Sequence, residues 1–279
     1  MPKKIFFTDL DDTLLNRKKE ISKGNRDAIN AVLEKGHAVT ITTGRAYGPA
    51  RQQAEKLGIT GENCYMICYN GSLIYDFSKD KIVYQTGLTP EIVRLAFREA
   101  IAFGIPVQTY SHEEVIAELD TPVLREYCRI QNVPWRIVEN AADYLISIGE
   151  PNPPKILIVD YRHDENVNEF RRRITPLLEG KADIFLSHSD MMEIVPVGVN
   201  KGAAIHILCD YLGLPIEATV SAGDAENDLE MIQEAHIGCA MCNGEPGVLK
   251  AADYITQNDC DHDGVAEILE KFVLGDAMP

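Results

Sequence analysis

The chain is short of positive charge, of tryptophan and of long apolar runs, and each shortage narrows what it can do. Lys and Arg number 27 against 43 Asp and Glu in 279 residues, for a net charge of -16. A surface of that sign repels a phosphate backbone and argues against a nucleic-acid partner. Only Ile5, Phe6 and Phe7 run together before Asp9, so neither a signal peptide nor a membrane span is expected, and a cytoplasmic protein is. The seven cysteines are odd in number and scattered, which fits reduced thiols rather than a disulfide framework. Cys239-Ala-Met-Cys242 lacks the second pair that a tetrahedral metal site needs, and reads as strand packing. Internal repeats and low-complexity tracts are also missing.

What is present is organised around Lys4-Ile5-Phe6-Phe7-Thr8-Asp9-Leu10-Asp11. The apolar run predicts a buried strand with Asp9 and Asp11 at its C-terminal end, on one side by the period of two. Two neighbouring carboxylates repel and lose hydration, so the pair calls for a cation or a shared proton. A turn whose acids cap the next element fits the same residues.

The rest of the N-terminal part alternates strand and helix. Ser22 or Asn25 caps a helix with the stripe Ala28, Ile29, Val32, Leu33, stopped at Gly36; strand 37–43, helix 47–57 and strand 64–69 follow. Such βαβ units predict a parallel sheet whose ligands bind beyond the carboxyl ends of its strands. Thr42-Thr43-Gly44-Arg45 lies at such an end, where it reads as a phosphate cradle or an ordinary turn. Asn70-Gly71 reads as a hairpin turn.

From about Gln85 the rhythm changes, through a Pro-rich stretch at 150–154, to an α+β module over 85–188. The expected architecture is therefore an α/β, Rossmann-like parallel-sheet core from 1–84 and 189–279, with an inserted α+β cap at 85–188. The core resumes with a strand at Met192 to Val197, and Asn200-Lys201-Gly202 opens a helix. Lys201 in a first turn opposes the helix dipole unless an anion is near, although a solvated lysine fits too. Strand 218–222 ends in Gly223-Asp224-Ala225-Glu226-Asn227-Asp228, a denser run of acids and amides than a plain loop needs.

Asp259, Asp261, Asp263, Gly264 and Glu270 match a calcium-loop pattern position for position. No entering helix precedes them, since 252–256 reads as a strand. The segment is expected to be an N-capping turn.

Asp9, Asp11, Asp224 and Asp228 can thus converge with Thr43 and Lys201 at one sheet edge, as a magnesium and phosphate pocket. At this point the sequence resembles the haloacid dehalogenase superfamily, in particular its Cof-type sugar phosphatases. The resemblance rests on four ordered motifs, Asp9-Leu10-Asp11-Asp12-Thr13, Thr42-Thr43-Gly44-Arg45, Asn200-Lys201-Gly202 and Gly223 to Asp228, with Tyr69-Asn70-Gly71 and Asp263-Gly264-Val265 beside them. Asp12 departs from the glycine most usual there. The resemblance implies a cap inserted between the second and third motifs, Asp9 as nucleophile and Asp11 as acid and then base, with raised proton affinity. It also implies Mg2+ held by Asp9, the Asp11 carbonyl and Asp224, with Asp228 behind them. Leu10 N–H, Thr43, Gly44, Lys201 and Asn227 would hold phosphate, and Asn70 would join them. The partner would be a small phosphate ester met by a monomer or homodimer. A phosphomutase, or a non-catalytic phosphate-ester-binding regulator, shares the scaffold; no cap residue, lone Trp135 included, names the ester.

Overall fold

A computed structural model describes residues 2–112, 114–161, 164–188 and 190–275. In chain order the elements are β1 (Ile5–Thr8), α1 (Lys23–Glu34), β2 (Ala38–Thr42), α2 (Tyr47–Leu57), β3 (Cys64–Cys68), β4 (Leu73–Asp76) and β5 (Lys81–Gln85). Next come α3 (Pro90–Phe103), β6 (Val107–Tyr110), β7 (Val115–Ala117), α4 (Pro122–Gln131), β8 (Trp135–Ile137), α5 (Ala141–Ser147), β9 (Ile156–Val159), α6 (Asp164–Leu178), β10 (Asp183–His188) and β11 (Met191–Val195). The chain closes with α7 (Lys201–Leu212), β12 (Thr219–Gly223), α8 (Leu229–Glu234), β13 (Ile237–Ala240), α9 (Pro246–Ala251), β14 (Tyr254–Ile255) and α10 (Gly264–Ile268), which runs into a π-turn over Leu269–Val273.

Two compact units result, one from residues 1–45, 50–84 and 200–279, the other from 46–49 and 85–199. The first is a mixed α/β layer structure around an eight-stranded sheet of order β14-β13-β12-β1-β2-β3-β4-β5. From β14 to β3 every pairing is parallel, and β4 turns back antiparallel to β3. The order reverses at β1, which pairs β2 on one side and β12 on the other. That reversal opens a crevice at the carboxyl ends of β1 and β12, where ligands of such sheets bind.

β1 is apolar from Ile5 to Phe7 because both faces are covered. Ile5 and Phe7 pack with Ile205 and Leu208 of α7, while Phe6 packs with Ile29 of α1 and Phe272 on the opposite face. Ser22 caps α1 by accepting the Asn25 N–H, and Gly36 beyond it takes a φ of 80°. The Tyr69–Gly71 turn joins β3 to β4, and Gly71, at φ 114°, is required by space as well, since a Cβ there would lie 2.4 Å from the Asn200 carbonyl oxygen.

The second unit is built on a six-stranded sheet of order β10-β11-β9-β6-β7-β8 with α3, α5 and α6 on its apolar core. The strand over Met192 to Val197 does not restart the core; β11 pairs antiparallel with β9 and β10, so the second unit runs on to Val199. A short, mostly apolar run satisfies either sheet, and the pairing partner decides. Ser189, where the core was expected to resume, lies outside the described residues.

The calcium pattern forms no helix-loop-helix, because β14 pairs with β13 ahead of it. Asp263 holds the N-cap position of α10 at φ 64°, but its side chain makes no capping hydrogen bond. Two of the loop's acids are already engaged: Asp259 accepts the Asp261 N–H and pairs with His262, and Arg17 pairs with Asp261. Of the CxxC pair, Cys239 is buried on β13 and Cys242 is exposed in the following turn, both as free thiols.

Candidate active site

Four chain turns in the first unit meet at the carboxyl ends of β1, β2 and β12. Asp9 follows β1 directly, is 8% exposed, and is tied to β12 by its N–H on the Ala222 carbonyl at 3.0 Å. Lys201, in the first turn of α7, is fully buried, and its Nζ reaches Asp9 Oδ1 at 2.6 Å and Asp228 Oδ1 at 2.5 Å. The cation that opposes its own helix dipole is thus held by two anions. Burial disfavours its charge, yet Asp228 and Asp9 outweigh burial and hold the ammonium above its ordinary range.

Asp228 is positioned rather than free. Its Oδ2 accepts the N–H groups of Asp224 and Ala225 at 3.0 and 3.1 Å. Gly223 leaves room for it, since a Cβ there would fall 2.4 Å from Asp228 Cβ. Asp224 accepts the Thr13 hydroxyl at 2.6 Å. Thr13 lay in the first motif without a role, and this contact supplies one.

Among the described residues, Asp9, Asp224 and Asp228 place one carboxylate oxygen each within 4.8 Å of one another. Burial, with the neighbouring acids Asp228, Asp224 and Asp11, pushes Asp9 well above the usual carboxylate range, and Lys201 offsets this only in part. Asp224 is pushed up to about 7, by burial and by Asp228 and Asp12, against the Thr13 hydrogen bond and Lys201. One buried lysine does not balance three acids. Hard oxygen donors carrying excess negative charge fit Mg2+, and the donor set therefore agrees with the expected metal.

Asp11 stands apart from that trio. Arg45 grips it with a planar fork, Nε to Oδ2 at 2.9 Å and Nη2 to Oδ1 at 2.7 Å, and Lys19 Nζ adds a 3.1 Å contact to Oδ1. Burial raises its proton affinity, but these two cations outweigh burial and hold Asp11 below the usual range. The expected raised affinity is not found, because Arg45 arrives from the turn after β2, a partner that no local pattern announces.

The remaining predicted residues form the crevice wall. Thr43 is buried, and its hydroxyl accepts the Arg45 N–H at 3.2 Å. Its carbonyl accepts the Asn70 N–H at 3.1 Å, and Asn227 Nδ2 donates to Asn70 Oδ1 at 3.0 Å, so the turns after β2, β3 and β12 are linked. Gly44 faces Asn70, whose Oδ1 would be 3.1 Å from a Cβ at that position. The Leu10 side chain belongs to the core, not to the crevice. Asn243, singled out by nothing in the sequence, donates to the Asp12 carbonyl at 2.8 Å and steadies the first turn.

The described residues contain no helix long and apolar enough to cross a membrane. Comparison with known proteins agrees with the fold. Residues 6–269 match the family of haloacid dehalogenase-like hydrolases. The chloroplastic endoribonuclease YBEY of Arabidopsis thaliana is 30% identical over 273 residues, covering 95% of this chain and 46% of that protein, so the chain spans about half the length of that relative. The Bacillus subtilis 5-amino-6-(5-phospho-D-ribitylamino)uracil phosphatase YcsE is 30% identical over 274 residues, covering 97% of this chain and 96% of its own. A haloacid dehalogenase-like hydrolase from Bacteroides thetaiotaomicron superposes with a TM-score of 0.85 at 30% identity, covering 96% and 98% of the two chains. The chain belongs to the haloacid dehalogenase-like hydrolase family, and is a hydrolase.

Proposed function

We propose that this hydrolase is a magnesium-dependent phosphatase that cleaves a small phosphorylated metabolite of the sugar phosphate class through an aspartyl-phosphate on Asp9. The observation that carries the reading is Asp9 itself, buried at the sheet reversal, bonded to Lys201 and facing Asp224 and Asp228. In the first half, an Asp9 oxygen bonds to phosphorus as the ester P–O bond breaks, and Asp11 gives its proton to the leaving oxygen. In the second half, Asp11 takes a proton from water, which displaces Asp9 from phosphorus. The Arg45 and Lys19 contacts favour the Asp11 anion that the second half uses. A phosphoryl dianion arriving beside Asp11 favours the protonated form that the first half uses.

Lys201, Thr43, Gly44, Asn70, Asn227 and the Leu10 N–H are the groups assigned to the phosphoryl oxygens. Asp9, Asp224 and the Asp11 carbonyl would hold Mg2+, which when bound neutralises charge so that a phosphate can approach a carboxylate. Asp228, whose Oδ1 and Oδ2 already serve Lys201 and two N–H groups, would act behind them.

The substrate class rests on three supports. The Bacillus relative is named for an ester on a ribityl chain. A net charge of -16 disfavours polyanionic partners. The unit at 85–199 corresponds to the insertion that the resemblance assigns to substrate selection, and we assign it that role. Release of inorganic phosphate from a panel of phosphorylated metabolites tests the reading. Sugar phosphates are expected to lead the panel, and no magnesium-dependent release from any member would refute it.

Magnesium binding has a readout apart from turnover. Folded Asp224 keeps up to about pH 7 a proton that the unfolded chain loses near an ordinary pKa of about 4, and burial moves Asp9 in the same direction, so metal-free stability falls as pH rises through that range. A cation on the ionised acids cancels that loss. Magnesium is therefore expected to raise the melting temperature more at about pH 8 than at about pH 5.5. An equal shift at both would contradict the assigned ligands.

A further inference from the structure

We propose that Lys19, anchored by Asp12, is a positioning residue that turns the Asp11 carboxylate so that Oδ2 is the oxygen offered to the leaving group. The proposal rests on the reading of Asp11 as the acid.

The Lys19 side chain is half-exposed, but the backbone that carries it is fixed. Asn16 Oδ1 accepts the N–H groups of Lys18 and Glu20 at 3.0 and 2.9 Å, and the Lys19 N–H bonds to the Asn16 carbonyl at 2.8 Å. A further bond from the Asn16 N–H to the Glu20 carbonyl, at 2.9 Å, closes the turn, whose flanks Leu15 and Ile21 are bridged to each other. Within it Lys19 adopts a φ of 60°, a backbone state that L-residues rarely take. The turn thereby delivers the ammonium to Asp11 Oδ1 at 3.1 Å and to Asp12 Oδ2 at 3.5 Å.

Asp12 also has a φ of 60°. Glycine would take that backbone without strain, and an aspartate there adds a second anion that holds Lys19 in place.

Counting acceptor positions gives the orientation. Each carboxylate oxygen accepts about two hydrogen bonds. Oδ1 of Asp11 accepts from Arg45 Nη2 and also has the Lys19 ammonium 3.1 Å away as an ion pair, whereas Oδ2 has Arg45 Nε alone. The remaining position lies on Oδ2. The Arg45 fork alone treats the two oxygens alike, and Lys19 makes them unequal.

The test compares the full chain with its Lys19→Met, Lys19→Arg, Asp12→Gly and Asp11→Asn variants, each with magnesium. The substrates are para-nitrophenyl phosphate and a hexose phosphate that the parent chain turns over. A nitrophenolate leaves with little help, whereas a sugar alkoxide needs its proton. Lys19→Met is expected to lower kcat about tenfold on the sugar ester and about twofold on the aryl ester, with KM held within about twofold. Asp12→Gly should shift the same ratio by less, and Lys19→Arg should recover most of it. Equal losses on both esters, or a loss confined to KM, would overturn the proposal. If Asp11→Asn discriminates between the esters and Lys19→Met does not, only the role of Lys19 falls. If Asp11→Asn does not discriminate, the acid assignment falls and the proposal with it.

Discussion

Asp9→Asn is expected to reduce hydrolysis of para-nitrophenyl phosphate by roughly three orders of magnitude or more while leaving the chain folded. The amide keeps the shape of the carboxylate, and its oxygen can still accept from Lys201 Nζ at the position Oδ1 now occupies, 2.6 Å away. Nucleophilicity is what it lacks. Stability is expected to hold or rise, since Asp9 is a buried acid whose charged form burial penalises. The pairing of a folded chain with lost turnover is the informative result. Turnover near the parent rate by pure Asp9→Asn would remove the covalent step from the mechanism.

Lys201→Met tests the opposite charge and should damage both stability and turnover. The ammonium is fully buried between Asp9 and Asp228, and methionine fills similar volume with nothing to offer either acid. Removing one partner from a buried ionic cluster costs roughly 3–5 kcal/mol, because the remaining charges are left without compensation. A fall in melting temperature by several degrees and a drop of about a thousandfold in kcat/KM are expected together. Adding Asp228→Asn to Lys201→Met should return part of the stability and none of the activity, since it relieves repulsion without restoring a donor for phosphate. Recovery of activity in the double variant would show that Lys201 acts only to hold the fold.

Much of this site was legible in the residues because its acids stand at the ends of short apolar runs. The run Ile5 to Phe7 announces a strand, and Asp9 must then lie at its carboxyl end, where β1 delivers it. Lys201 was legible by contrast, a cation in the one turn of a helix that disfavours it, and the structure supplies Asp9 and Asp228 as the reason. What could not be read was pairing between separate turns. Arg45 and Asp11 lie 34 residues apart, and their fork reverses the expected direction of the Asp11 shift. The strand at Met191–Val195 likewise has a legible pattern and an illegible partner, since a mostly apolar run says that it is buried but not in which sheet.

The place of β1 between β2 and β12 has a consequence for how the chain is made. On a ribosome, β1 and β2 emerge early, but the strand that covers the other edge of β1 begins only at Thr219. Until then that edge of β1 leaves its backbone N–H and C=O groups unpaired, the kind of surface that recruits other strands. Asp9 and Lys201, 192 residues apart, meet only after the whole intervening segment has been synthesised. The late partner must therefore pair across a long sequence separation, a topology that slows folding. Until that closure is complete, a nascent chain holds Asp9 without the cation that pairs with it.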